Sequence, residues 1–178
     1  NSVIRNNDTI ANVKFTTDGD SYWPFLNALS VEVLAPEIQL VKTIKASADP
    51  NAADISGTSV TLGSELFYHI TFQNIGTDNA LNTEIIDLLP KNVDLLEANL
   101  ILPNNPDTNL PIAYTYDPPV AGNLFRGELV FDIPDNMVEI NDPEYRIILR
   151  VAVVSDCSQL RDVCTNNIVN QAYANYER

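Results

Sequence analysis

Residues 65–90 read ELFYHITFQNIGTDNALNTEIIDLLP, and the spacing of apolar side chains there restricts the possible folds more than any other stretch. Leu66, Tyr68, Ile70 and Phe72 alternate with Phe67, His69, Thr71 and Gln73, the two-residue period of a half-buried β-strand. Residues 74–79 supply the Gly and Asx residues of a turn. A second strand over 81–88 then runs into Pro90, which has no N–H with which to continue a ladder. The unit is an antiparallel hairpin with one anomaly. Counting by twos, Thr83, Ile85 and Asp87 share a face, so an inward Ile85 brings an acid into the core with it.

The same reading extends along the chain. Strands are expected over 29–34, 38–44, 93–102, 124–133, 145–154 and 167–176, and residues 103–123 read mainly as an Asn-rich and Pro-rich loop. No segment sustains a helical period with caps. Seven to eight short strands separated by turn signals predict an all-β, immunoglobulin-like antiparallel sandwich. The Cys-Trp-Cys order of antibody domains is missing, because Trp23 precedes both cysteines. Residues 26–33 and 169–176 share a pattern of apolar, Asn and alternating residues. Two readings of residues 1–36 follow: the last strand and linker of an upstream repeat, or an extension of the sandwich in 37–178.

Charge narrows the function classes. Acids outnumber bases 24 to 10, for a net charge of -14, which repels nucleic acid and anionic membranes alike. No apolar run is long enough to span a bilayer, so direct membrane insertion is not expected, and no signal-like segment opens the sequence. Cys157 and Cys164 flank a short polar loop in an Asn-rich and Thr-rich chain. They suggest a disulfide and an oxidising compartment, with the loop closure contributing about 2–3 kcal/mol; the alternative is two free thiols. A single histidine leaves too few soft ligands for structural zinc. That histidine, His69, is placed on the outward face of its strand, which argues against a catalytic triad. No Gly-rich phosphate loop is present either. The chain is therefore expected not to be an enzyme and to require no cofactor.

The order Ile38-Gln39-Leu40-Val41-Lys42-Thr43, then residues 66–76 (LFYHITFQNIG), Ile85-Ile86-Asp87-Leu88-Leu89-Pro90 and Asn170-Gln171-Ala172 resembles a repeat of bacterial surface proteins known as domain of unknown function 11. The CSQLRDVC loop with the Asn167-Ile168-Val169-Asn170 that follows is similar to repeats in large secreted adhesins of gliding Bacteroidetes. The resemblance covers about residues 37–178. It implies an Ig-like module in a tandem array, extracellular or on the cell surface, whose partners are neighbouring repeats, surface glycans or other adhesin chains. His69 and Gln73 depart from the usual Thr and are expected to face solvent.

Parity joins three residues. Lys42 shares a face with Ile38, Leu40 and Ile44, Asp87 with Ile85, and Asn170 with Ile168 and Ala172. Burial lowers a lysine pKa and raises that of an aspartate, which sets a neutral amine before a carboxamide. Related Ig-like domains of bacterial pili and adhesins form Lys-Asn isopeptide crosslinks. The resemblance implies Lys42 as nucleophile, Asp87 as proton relay and Asn170 as acceptor. Lys45, with the parity of Thr43, is the second choice of nucleophile. The competing reading has Lys42 extending to solvent, Asp87 capping turn amides and Asn170 at a sheet edge.

Two further sites are open. Asp18, Asp20, Asp49, Asp54, Asp135, Asp142 and Glu144 offer oxygen ligands for calcium in loops, though none matches an EF-hand pattern; solvated acidic loops are the alternative. Tyr22 and Trp23 form an aromatic group suited to stacking on a sugar, or to plugging a domain junction. The expected function is a structural or adhesive repeat that spaces and stiffens a stalk. The alternatives are a carbohydrate-binding or calcium-binding accessory module of a secreted protein, and a filament subunit that adds a strand to its neighbour.

Overall fold

The structure is a computed structural model that describes residues 10, 12, 14–21, 23, 33–118, 125–156, 158 and 167–178, without the side chains of 106–109. The chain divides into two compact units, Asn1–Val33 and Leu34–Arg178. In the first, Asp20 donates its backbone N–H to Thr17 Oγ1 at 3.2 Å. The strand expected over 29–34 lies almost wholly outside the described residues.

The second unit is an antiparallel β-sandwich. Among the described residues its strands are β1 (Ile38–Lys45), β2 (Glu65–Asn74), β3 (Leu81–Pro90), β4 (Val93–Leu102), β5 (Asn105–Pro111), β6 (Thr115–Asp117), β7 (Phe125–Ile133), β8 (Tyr145–Val153) and β9 (Ala172–Glu177). One sheet runs β1-β2-β8-β4-β5 and the other β6-β7-β3-β9. Alternation explains which faces are inside. Leu66, Tyr68, Ile70 and Phe72 from β2 and Ile147, Leu149 and Val151 from β8 meet Ile85, Leu129, Phe131 and Ile133 of the other sheet in one apolar core.

The antiparallel hairpin expected over 65–90 does not form: β2 and β3 are joined by a turn but lie in different sheets. The two strands pair not with each other but with β1 and β8 on one side and β7 and β9 on the other. The turn is held by Asn74, whose carboxamide donates to the carbonyls of Asp78 and Val138, both at 2.8 Å. Gly76 sits where an added Cβ would strike the backbone of residues 35–37. The chain entering β1 therefore lies directly on this turn, and Thr77 donates its N–H to Ala35 O at 2.8 Å.

Three further expectations need correction. Residues 103–123 include the edge strands β5 and β6, whose short ladders attach to β4 and β7. The last strand starts at Ala172 rather than 167, although Leu88 N–H already bonds Gln171 O at 3.0 Å. His69 is on the outward face of β2 but is only 1 % exposed, because residues 46–50 fold over it and its Nε2–H donates to Ser47 O at 3.0 Å.

Candidate functional site

Lys42 lies in the middle of β1, opposite Ile70 of β2, and two residues on Ile44 lies opposite Tyr68. The strand pleat therefore sets Lys42 and Tyr68 as diagonal neighbours on the inner face. Asp87 lies in the middle of β3, opposite Leu129 on one side and Ala172 on the other. Asn170 precedes β9 by two residues, where the Leu88–Gln171 bond already draws the chain against β3. Strands β1 and β9, each at the edge of its own sheet, come together here. Three residues far apart in sequence thus converge in the core.

The Lys42 ammonium is ion-paired with Asp87 Oδ2, and the two side chains are 12 % and 0 % exposed. Nζ also lies 4.8 Å from the centre of the Tyr68 ring, within cation–π range. The Asn170 carboxamide interacts with both the Asp87 carboxyl and the Tyr68 hydroxyl. None of these contacts of Asn170 is a well-aligned hydrogen bond: its Oδ1 and Nδ2, Asp87 Oδ1 and the Tyr68 hydroxyl are all buried without one. Leu40, Ile44, Ile70, Ile85, Leu129, Ile168 and Ala172 belong to the same apolar cluster.

Low polarity sets the protonation states. Burial pulls Lys42 down to about 8, against the raising influence of Asp87's charge and hydrogen bond. Burial pushes Asp87 up, against the charge and hydrogen bond of Lys42 and the contact with Asn170. Both shifts favour the state in which the proton has passed from amine to carboxyl, since a desolvated ion pair in such a core is expensive. A neutral amine and a carboxamide that both contact one carboxylic acid are the groups acyl transfer requires.

The other candidates disperse. Asp18 and Asp20 are exposed and belong to the first unit. Asp49 Oδ1 accepts from Asn51 N–H at 2.8 Å, and Asp54 Oδ1 accepts from Ser56 N–H at 2.8 Å, each closing a local turn. Asp135 Oδ1 accepts from Asn82 N–H at 3.0 Å, and Asp142 Oδ2 from Glu139 N–H at 2.9 Å. Glu144 pairs with Arg146 at 3.4 Å. Among the described residues no three acids, histidines or cysteines gather closely enough to hold a metal. Lys45 points away from the triad and donates to Pro50 O. Trp23 is 90 % exposed, while Tyr22, Cys157 and Cys164 lie outside the described residues. Tyr68 is the residue that periodicity alone misses: it reads as core, and its only signal is a hydroxyl on the inner face diagonal to a lysine.

No family model matches the chain. No curated protein matches it either. Among solved structures it is similar to the full-length RrgB pilus protein of Streptococcus pneumoniae, with 14 % identity and a TM-score of 0.47 over 79 % of this chain and 23 % of that one. It is also similar to a structure named BspA_C_WT, with 16 % identity and a TM-score of 0.39 over 67 % of this chain and 42 % of that one. The chain spans less than half the length of either.

Proposed function

We propose that residues 34–178 form a structural module of a surface-exposed or secreted protein, one that turns over no substrate and is stiffened by an internal amide between Lys42 and Asn170. The observation that carries this reading is the meeting of Lys42, Asp87 and Asn170 in an apolar core, from the beginning and the end of the sandwich. Asp87 takes a proton from Lys42, and the freed Nζ lone pair attacks Asn170 Cγ. An Nζ–Cγ bond forms as the carbonyl π pair moves to Oδ1. Asp87 delivers its proton to Nδ2 and takes the second proton from Nζ, the Oδ1 pair returns to re-form the carbonyl as the Cγ–Nδ2 bond breaks, and ammonia departs, leaving Asp87 protonated. Bonds and charge balance, and no oxidant or metal is needed.

Such a module spaces its neighbours and resists being pulled open. The order of its strand motifs, which resembles repeats of bacterial surface proteins, supports a tandem arrangement with neighbouring repeats as first partners. The test is the intact mass of the full chain under denaturing conditions. The expected mass is one ammonia below the sequence mass, with a branched peptide joining Lys42 to Asn170 after digestion. An unshifted mass in folded protein overturns the crosslink.

A second reading makes the chain a carbohydrate-binding accessory module, favoured by the exposure of Trp23, 90 % of which is open. Glycan-array binding that disappears in Trp23→Ala supports it. Equal binding by both proteins, or none by either, removes that role from Trp23.

A further inference from the structure

Resting on the crosslinking reading, we infer that Tyr68 is a third working residue of the site, its hydroxyl acting as the hydrogen-bond donor that receives the negative charge developing on Asn170 Oδ1. Acyl transfer needs such a donor, because attack on Cγ moves an electron pair onto the carbonyl oxygen, and in an apolar core that charge has no water to solvate it. Asp87 is committed elsewhere, as it must carry a proton from Nζ to the departing Nδ2. The Lys42 amine is the nucleophile. Of the polar side chains brought together here, that leaves the Tyr68 phenol.

Three observations place it. Tyr68 is 0 % exposed, so its hydroxyl does not exchange its partner for bulk water. That hydroxyl makes no well-aligned hydrogen bond in the unreacted site and neither does Asn170 Oδ1, while the Asn170 carboxamide interacts with the phenol oxygen through its N–H. Burial, reinforced by Asp87's charge and opposed by the Asn170 carboxamide, raises its pKa and keeps the phenol protonated. A donor under-used in the ground state and available to a growing charge is the arrangement that lowers a barrier rather than tightening the reactant. The same ring lies beside Lys42 Nζ, so one side chain guides the amine with its face and the carbonyl with its hydroxyl.

Tyr68→Phe separates these roles, since it keeps the ring and removes only the donor. The experiment follows newly synthesised full chain by intact mass in a timed cell-free translation, with circular dichroism confirming the fold. The expected result is that wild type loses ammonia while Tyr68→Phe does so about 100-fold more slowly. The dependence of rate on pH should keep its shape, because Lys42 and Asp87 still set it. Substituting 3-fluorotyrosine at position 68, a stronger donor of nearly the same shape, is expected to accelerate the reaction and keeps the test decisive should the Phe variant fold poorly. Crosslinking at the wild-type rate in the folded Phe variant, or no response to the fluorine, overturns the role of Tyr68 and leaves the crosslink standing. A wild-type chain that never loses ammonia overturns both.

Discussion

Lys42 belongs to the edge strand of one sheet and Asp87 to an inner strand of the other, and their charged ends meet inside the core. Two ionisable groups so deeply buried would be a poor way to stabilise a sandwich. Apolar residues of similar volume often do as well or better, while removing one partner leaves an uncompensated charge. The pair therefore invites a chemical explanation, and it defines a series of variants.

Asp87→Ala should abolish the mass loss and, relative to the equally uncrosslinked Asn170→Ala chain, destabilise the fold by about 3–5 kcal/mol, because it strands Lys42 without its partner. The double variant Lys42→Met with Asp87→Leu should recover most of that stability while remaining uncrosslinked. Urea denaturation read beside intact mass separates the two effects. Ammonia loss by the Asp87→Ala chain at the wild-type rate removes the relay.

Asn170→Ala keeps the ion pair and removes only the acceptor. The proposed crosslink would close a loop containing residues 43–169, and the chain-entropy argument developed for disulfides assigns such a closure about 5 kcal/mol. The variant should unfold at correspondingly lower urea concentration. It should also lengthen much further than wild type when its ends are pulled in a single-molecule force experiment.

The same variant should reveal the lysine in its pH dependence. Folding lowers the Lys42 pKa from 10.5 to about 8, so between those values the unfolded chain holds the extra proton and stability rises with pH. Asp87, raised by folding, acts oppositely: stability falls as pH climbs from the ordinary carboxylate range through its folded pKa. In crosslinked wild type Lys42 is an amide, so its rise above pH 8 should be absent. Urea midpoints at a series of pH values compare the two chains.

His69 predicts an acid response of its own. Its Nε2–H is used by Ser47 O, its Nδ1 is buried without a partner, and burial is the main cause lowering its pKa. Below the ordinary histidine range the unfolded chain binds the proton first, so stability is lost as pH falls from about 6.5 toward the depressed value. His69→Gln should flatten that limb, and an imidazole NMR titration should locate the folded pKa.

At Gly127 an added Cβ would lie 2.5 Å from the Tyr116 ring and 2.7 Å from Asp117 O. Gly127→Ala should therefore loosen β6 from β7 and lower stability by about 1–3 kcal/mol. Tyr116→Ala in the same chain should return part of it, measured as thermal midpoints.

Much of this site can be read by counting residues in twos. Parity turns Lys42 and Asp87 inward, because the pleat assigns alternate residues to opposite faces whatever their chemistry, and the same count holds at Asn170 although it precedes β9. Counting says nothing about which strands become neighbours, so the diagonal contact of Tyr68 with Lys42 needs the β1–β2 register. It also cannot tell an outward face from an exposed one, which is why His69 ends up beneath a loop. The strands β5 and β6 leave no period to count, because Pro and Asn interrupt their alternation and edge strands need only a few ladder bonds to form.

The meeting of β1 and β9 has a topological consequence. Once Lys42 and Asn170 are joined, residues 42–170 form a covalent ring carrying two tails. A protease that cuts one exposed loop of the ring opens it but releases nothing, so the clipped chain still migrates as one molecule after denaturation. A cut in either tail releases a fragment.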